Sequence, residues 1–146
     1  MSALTKLIPN TENLLKQAAT MPLSSISSKY ILLYFSASWC PPCRGFTPIL
    51  ADFYNKLHKE KNFEVVFVSW DEEEEDHTKY YEKMPWLAIP FEQSDTVKLL
   101  ANRYSVESIP TLIAIEAETG NVITTSGVSK VREDPEGKNF PWTNKK

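Results

Sequence analysis

The run Tyr30-Ile-Leu-Leu-Tyr-Phe35, followed closely by Trp39-Cys40-Pro41-Pro42-Cys43-Arg44, decides how this chain is read. A continuous apolar run bounded by polar residues marks a central strand covered on both faces. Just beyond it Phe46, Ile49, Leu50, Phe53 and Leu57 recur at helical spacing and draw one apolar face. A strand therefore runs into a helix across a turn that holds both cysteines of the chain. Cys40 falls at the helix N-cap, where unpaired N–H groups and the helix dipole favour a negative charge. Pro41 takes the first helical turn, where its missing N–H costs nothing. The two-residue spacing lets the sulfurs meet, so that Cys43 can attack a mixed disulfide on Cys40. A thiol whose pKa falls from ~8.5 to ~7 becomes about half thiolate at neutral pH. A pKa near ambient pH suits fast exchange, because nucleophilicity falls as pKa falls. Pro48 lies inside the helical pattern and predicts a kink rather than a stop.

Zinc is the competing use of paired cysteines. It needs four ligands, and only His58 and His77 could join the pair, neither at zinc-finger spacing. No metal site is expected. Two inert core thiols are the plainer alternative, and the helix N-terminal placement argues against them. Both histidines read as surface residues.

Outward from this centre, Leu4, Leu7 and Ile8 make a short apolar start ending at Pro9. Asn10 or Thr11 can then cap a helix carrying Leu14, Leu15 and Ala18. Phe63–Trp70 reads as a second buried strand. The acidic run Asp71–Asp76 opens a helix reaching Lys83, Pro85 and Pro90 break the next stretch, and Asp95 caps a helix with Val97, Leu100 and Ala101. Thr111–Ile115 is a third strand. Glu118-Thr-Gly-Asn121 is a turn, after which Val122–Thr125 pairs back antiparallel. Asp134–Gly137 turns the tail, and Phe140-Pro-Trp142 docks as an aromatic segment. Strands alternating with helices make the chain α/β, with an antiparallel hairpin at the sheet edge.

Composition narrows the function. With 146 residues, 42% hydrophobic and 24% charged, the chain fits one globular domain over 1–146. A net charge of −3 lacks the basic field of a nucleic-acid binder. Two cysteines exclude a disulfide-dense secreted scaffold. No leader is read at the N-terminus and no apolar run is of bilayer length, so the expectation is a cytoplasmic protein with no membrane partner.

A proline just before a buried strand, as in Ile109-Pro110-Thr111, can be a cis-proline set against a distant dithiol. Together with Cys40-Pro-Pro-Cys43 and the helix-interior Pro48, this turn resembles the thioredoxin superfamily. Phe35-Ser-Ala-Ser-Trp-Cys-Pro-Pro-Cys-Arg-Gly-Phe-Thr-Pro48, Met84-Pro-Trp-Leu-Ala88, Val106-Glu-Ser-Ile-Pro-Thr111, Asp134-Pro-Glu-Gly137 and Phe140-Pro-Trp142 are similar to the tryparedoxins, the kinetoplastid relatives of nucleoredoxins. The likeness runs from about residue 4 to Trp142. It implies a thioredoxin fold: a central mixed sheet flanked by helices, with an N-terminal extension and an insertion around residues 71–93. It also implies a dithiol–disulfide oxidoreductase with no tightly bound cofactor. Trypanothione would donate the electrons. The acceptors would be 2-Cys peroxiredoxin and glutathione-peroxidase-type tryparedoxin peroxidases and other protein disulfides. A monomer is expected.

Carried over by position, Cys40 is the exposed nucleophile, Cys43 the covered resolving thiol and Pro110 the cis-proline. Trp39 flanks the nucleophile and reads as an exposed contact platform, with core packing as the plainer alternative; Pro41, Pro42, Ile109, Glu72 and Glu73 join it as candidate substrate-binding residues. Trp70, Asp71 and Arg44 are candidates for proton relay or thiolate support, because the C-terminal ends of neighbouring parallel strands meet beside the dithiol. The plainer readings are a helix cap for Asp71, a solvated helix start for Asp71–Asp76, a water-facing Arg44, and packing for Tyr80, Tyr81 and Trp86. The functional alternative for the acidic run is a rim that attracts a polyamine-bearing dithiol. Two departures from the pattern stand out. Tyr34 occupies the position of the buried aspartate of ordinary thioredoxins, so another group must move protons. Val128 stands where tryparedoxins often carry an arginine, a role that Lys130 or Arg132 could take. From a different class, the alternative function is a nucleoredoxin-type redox-regulated binding module with little turnover. An isomerase is disfavoured by the missing leader.

Overall fold

The computed structural model describes residue 8 and residues 11–17 and 19–143. Its first elements are the strands β1 (Asn13–Lys16) and β2 (Ala19–Pro22), a 3-10 turn at Leu23–Ser25 and the strand β3 (Tyr30–Ser36). The helix α1 (Pro41–Leu57), β4 (Phe63–Ser69), α2 (Glu74–Tyr81), β5 (Leu87–Ala88) and α3 (Ser94–Arg103) follow. The strands β6 (Thr111–Glu116) and β7 (Val122–Thr124) and the helix α4 (Gly127–Glu133) complete the order. Seven strands form one mixed sheet in the order β2-β1-β5-β4-β3-β6-β7.

The central position of β3 follows from its unbroken apolar run. It pairs parallel with β4 and antiparallel with β6, so Tyr34 stands between Phe67 and Leu112. Side chains alternate along each strand, and both faces are buried. Leu32, Tyr34, Val65, Phe67 and Leu112 meet Phe46, Leu50 and Phe53 of α1, with Tyr80 of α2 and Val131 of α4. Ile31, Leu33, Phe35, Val66 and Ile113 meet Leu100 of α3 on the other face, with Ile8 and Leu14. Each such side chain removed from water contributes ~1.5–3 kcal/mol before the entropy of ordering it is counted. The parallel pair β3 and β4 places both C-terminal ends, Ser36 and Ser69, on one edge of the molecule. That edge carries the cysteines.

The expected helix with Leu14 and Leu15 is instead the β1–β2 hairpin, paired from Asn13↔Pro22 to Lys16↔Ala19. Leu14 enters the core on one face and Leu15 packs toward the other, a period of two rather than 3.6. A helix this short is marginal on its own, whereas β1 gains ladder bonds from β5 through Leu15↔Ala88. Leu4, Leu7, Pro9, Asn10 and Ala18 lie outside the described residues. The acidic helix begins at Glu74, later than the expected Asp71, because Asp71 bonds elsewhere. The next helix begins at Ser94, which puts Asp95 in its first turn rather than at the cap. Neither β5 nor α4 was marked by periodicity. Gly127 opens α4 where an added Cβ would sit 2.6 Å from the Leu112 carbonyl oxygen, so the approach of this helix to β6 requires glycine.

The aromatic tail docks as expected. The Trp142 ring stacks on Phe53 at 5.6 Å, and its indole N–H donates to Asp134 Oδ2 at 3.0 Å. Among the described residues, no helix is long and apolar enough to cross a membrane.

Candidate active site

Cys40 is the N-cap of α1, in extended backbone conformation, and Pro41 and Pro42 occupy the first positions of the helix. The cysteines are paired as a disulfide with Cα atoms 5.2 Å apart. Cys40 Sγ accepts a hydrogen bond from the Cys43 N–H at 3.3 Å. This is an ordinary N-cap bond in which sulfur replaces the usual oxygen. It spends an orphan helix donor on the first sulfur of the pair. The same sulfur lies 3.8 Å from the Ile109 carbonyl oxygen.

The expected open Cys40 is corrected: the residue is only 5% exposed, and Cys43 is 0% exposed. The N–H of Cys43 and the Ile109 loop close over the first sulfur, and Trp70 and Ile109 pack against the pair. The exposed group is Trp39, at 57%. It stands on the loop between β3 and α1. The Ile109–Pro110 peptide is cis.

The remaining candidates divide. Asp71, at the end of β4, is buried. Its carboxylate accepts the Ser38 N–H at 3.0 Å, the Ser38 hydroxyl at 2.6 Å and the Ser69 hydroxyl at 2.8 Å. Those bonds join β4 to the loop that carries Trp39, and none of them reaches Cys43. Arg44 is exposed and donates through Nη1 to the Ser38 carbonyl at 2.7 Å. Ser38 is thus held from two sides, and neither residue's bond goes to a cysteine. Glu72 and Glu73 are exposed at the start of the acidic segment. Glu72 shares with Trp39 and Trp70 the wall of a groove of about 930 Å³ that continues past Glu92 and Val97 to Glu107. Charge on this wall is mainly negative, with Lys98 as the cation among its lining residues.

His77 is the second correction. It is 2% exposed rather than at the surface, packed against Phe67 and Phe91, with Nε2 3.3 Å from the Ile89 carbonyl oxygen. Burial holds its pKa below the usual histidine range, against the pull of that carbonyl and of Asp71, Glu74 and Glu92. Val128 packs on the core, and the Arg132 guanidinium lies 5.3 Å from the centre of the Phe46 ring. Among the described residues, no group of three or more His, Cys, Asp or Glu side chains is placed to hold a metal ion.

Sequence reasoning passed over Ser38, Thr47 and the hydroxyl of Tyr80. Thr47 carried a signal, since i+4 from Cys43 is one helical turn away. Its Oγ1 donates to the Cys43 carbonyl at 2.9 Å. Tyr80 carried none, because its partners are supplied by other elements. Tyr34, at the place of the missing aspartate, is fully buried. Burial raises its pKa far above the ordinary phenol value, so at neutral pH it is a hydrogen-bond donor and not a base.

A family model described as thioredoxin-like matches residues 28–122. The tryparedoxin of Trypanosoma brucei brucei is 58% identical over 144 residues, which cover 99% of this chain and 100% of that protein. The crystal structure of native tryparedoxin I from Crithidia fasciculata matches with a TM-score of 0.95 at 51% identity, over 99% of this chain and 100% of the other. A structure of tryparedoxin II complexed with glutathionylspermidine matches equally well, with a TM-score of 0.95 at 51% identity over 98% and 100% of the two chains. A cysteine pair capping a helix at the C-terminal edge of a mixed sheet, in a chain that follows these proteins from end to end, belongs to the tryparedoxin family of thioredoxin-like thiol–disulfide oxidoreductases.

Proposed function

We propose that the chain takes electrons from trypanothione and passes them to disulfides of 2-Cys peroxiredoxin and glutathione-peroxidase-type tryparedoxin peroxidases, and of other proteins. The observation that carries this reading is the Cys40–Cys43 pair at a helix N-terminus beside exposed Trp39, in a chain that matches a protein solved with glutathionylspermidine. Glutathionylspermidine is a thiol carried on a polyamine, and trypanothione carries two such thiols on one polyamine.

In the reduced pair the Cys40 thiolate attacks one sulfur of a substrate disulfide. One substrate thiolate leaves and takes up a proton. Cys43 gives up its proton and attacks Cys40 Sγ, which reforms the Cys40–Cys43 bond and frees the second substrate thiol. Two electrons have passed to the substrate. A trypanothione thiolate then attacks Cys40 Sγ, and its second thiol closes the donor's own disulfide, returning both cysteines to thiols. Trypanothione is a co-substrate, consumed and released at each turn. The exposed carboxylates of Glu72 and Glu73 favour an approaching polyamine cation, and the Trp39 ring offers it an apolar face.

Insulin reduction tests this, with trypanothione, glutathione, or NADPH and thioredoxin reductase as parallel electron sources. Multiple turnovers, fastest with trypanothione, are expected. Reaction that stops at one equivalent would show a redox-regulated binding module instead. Preference for the reductase would reassign the donor.

A further inference from the structure

We propose that Thr47, Tyr34 and Tyr80 seat the resolving cysteine, and that Tyr80 is a positioning residue for the second step of disulfide exchange. The proposal rests on the reading in which Cys40 attacks first and Cys43 resolves.

Four buried hydroxyls form a connected chain that ends on the Cys43 carbonyl. Thr47 Oγ1 lies 2.9 Å from the Cys43 carbonyl oxygen, and Tyr34 Oη lies 3.3 Å from that same oxygen. Thr47 Oγ1 is also 2.7 Å from Tyr34 Oη and 2.7 Å from Tyr80 Oη. Tyr80 Oη in turn lies 2.8 Å from Ser36 Oγ. Four hydroxyl protons serve these five contacts: Thr47 donates to the carbonyl, Tyr34 and Tyr80 donate to Thr47 Oγ1, and Ser36 donates to Tyr80, which leaves the longer Tyr34–carbonyl approach without a proton of its own. Every bond then points toward Cys43. Chained hydrogen bonds in a dry interior polarise one another, and an unmatched member is costly.

The backbone gives a reason for such a seat. Pro48 withdraws the ladder bond that would reach the carbonyl of Arg44, the residue after Cys43. The turn of α1 that follows Cys43 is therefore one backbone bond short. Side-chain hydroxyls from β3 and α2 make up the difference. Tyr80 has no other evident reason to be a tyrosine there: its ring packs edge-on to Phe67 at 5.6 Å, a contact phenylalanine would keep.

The chemical consequence falls on one step. Once Cys40 carries a mixed disulfide, Cys43 Sγ attacks Cys40 Sγ. The Cys40–Cys43 bond forms and the bond from Cys40 to the substrate sulfur breaks. The substrate leaves as a thiolate and takes a proton from solvent, matching the one Cys43 released. This attack is intramolecular, so its rate depends on how closely Cys43 is held on line. The first attack, by the N-cap sulfur, does not depend on the Cys43 carbonyl.

Stopped-flow reaction of the reduced protein with 5,5′-dithiobis(2-nitrobenzoate) separates the steps, because each releases one coloured thiolate. Tyr80→Phe is expected to leave the first release unchanged and to slow the second about tenfold. Thr47→Val should slow the second release at least as much, and Thr47→Ser should restore it. If Thr47→Val does not fold, Tyr80→Phe decides alone, since it keeps the ring. Equal first and second releases to wild type in Tyr80→Phe would overturn the proposal. So would equal slowing of both releases, which would mark general loosening. A wild-type protein that releases one thiolate and stops would overturn the exchange reading itself, and the proposal with it.

Discussion

Asp71 Oδ1 lies 2.6 Å from the Ser38 hydroxyl and 3.0 Å from the Ser38 N–H, so a residue two positions beyond β4 grips the loop that presents Trp39. The grip is charge-assisted and buried, the setting in which a hydrogen bond contributes most. Asp71→Ala is expected to lower stability by ~2 kcal/mol in urea unfolding, because buried donors are left unmatched. The same variant should leave the pH profile of Cys40 alkylation in place. A displaced profile would give Asp71 a part in proton transfer after all.

Brief alkylation of the reduced protein should label Cys40 and spare Cys43. The N-cap bond from the Cys43 N–H supports a thiolate on the first sulfur, and the second sits fully covered. Mass spectrometry of the digested product checks this directly. Cys43→Ser should then hold substrates as mixed disulfides on Cys40, since the second attack is gone. Equal labelling of both cysteines would undo the division of roles.

Glu72→Gln combined with Glu73→Gln should slow reduction by trypanothione, chiefly in the second-order rate, while reduction by uncharged dithiothreitol hardly changes. Each exposed charge contributes less than ~1 kcal/mol, but several together can raise an encounter rate about tenfold at low salt. The defect should shrink as ionic strength rises. Equal impairment with both reductants would instead tie these carboxylates to the thiol chemistry.

His77 predicts how stability changes with pH. Its folded pKa is held low by burial, so the unfolded chain binds the proton more readily. Stability is therefore complete above the unfolded value of ~6.5 and declines as pH falls below it toward the folded pKa. Urea midpoints measured between pH 7.5 and pH 5.5 should fall with pH in the wild type. In His77→Phe, which keeps an aromatic ring against Phe67 and Phe91, that slope should flatten.

Gly127→Ala should cost ~1–3 kcal/mol, the usual range for forcing a group into a packed site. An added Cβ would meet the Leu112 carbonyl oxygen at 2.6 Å and push α4 off β6. Thermal unfolding measures it. An unchanged melting temperature would mean that the helix start shifts freely.

Where a local pattern was strong, the sequence alone located the element. The apolar run of β3, the helical spacing of Phe46 to Leu57 and the apolar stretch of β4 all depend on side-chain periodicity, which needs no knowledge of neighbours. The cysteine pair and its helix cap were legible for the same reason: two-residue spacing next to a helix start is a local fact. The hairpin at Asn13–Pro22 was not, because Leu14 and Leu15 suit either a helix or a strand. Pairing with β5 decided between them, and β5 itself is too short to show a period.

The composition and spacing of Trp39 to Arg44 were enough to determine a redox pair on a helix N-terminus, since dipole, cap and loop length are set by adjacent residues. What closes over that pair was decided only by tertiary structure. Ser38 is gripped by a residue 33 positions away, Tyr80 reaches Thr47 across 33 positions, and Ile109 reaches Cys40 across 69. His77, polar among acidic neighbours in the sequence, is buried because the segment after β4 folds it onto Phe67 and Phe91. Hydrogen bonds and burial of this kind belong to the packed sheet and its helices. No local window contains both partners, so the reach of the chain's own pattern ends where long-range packing begins.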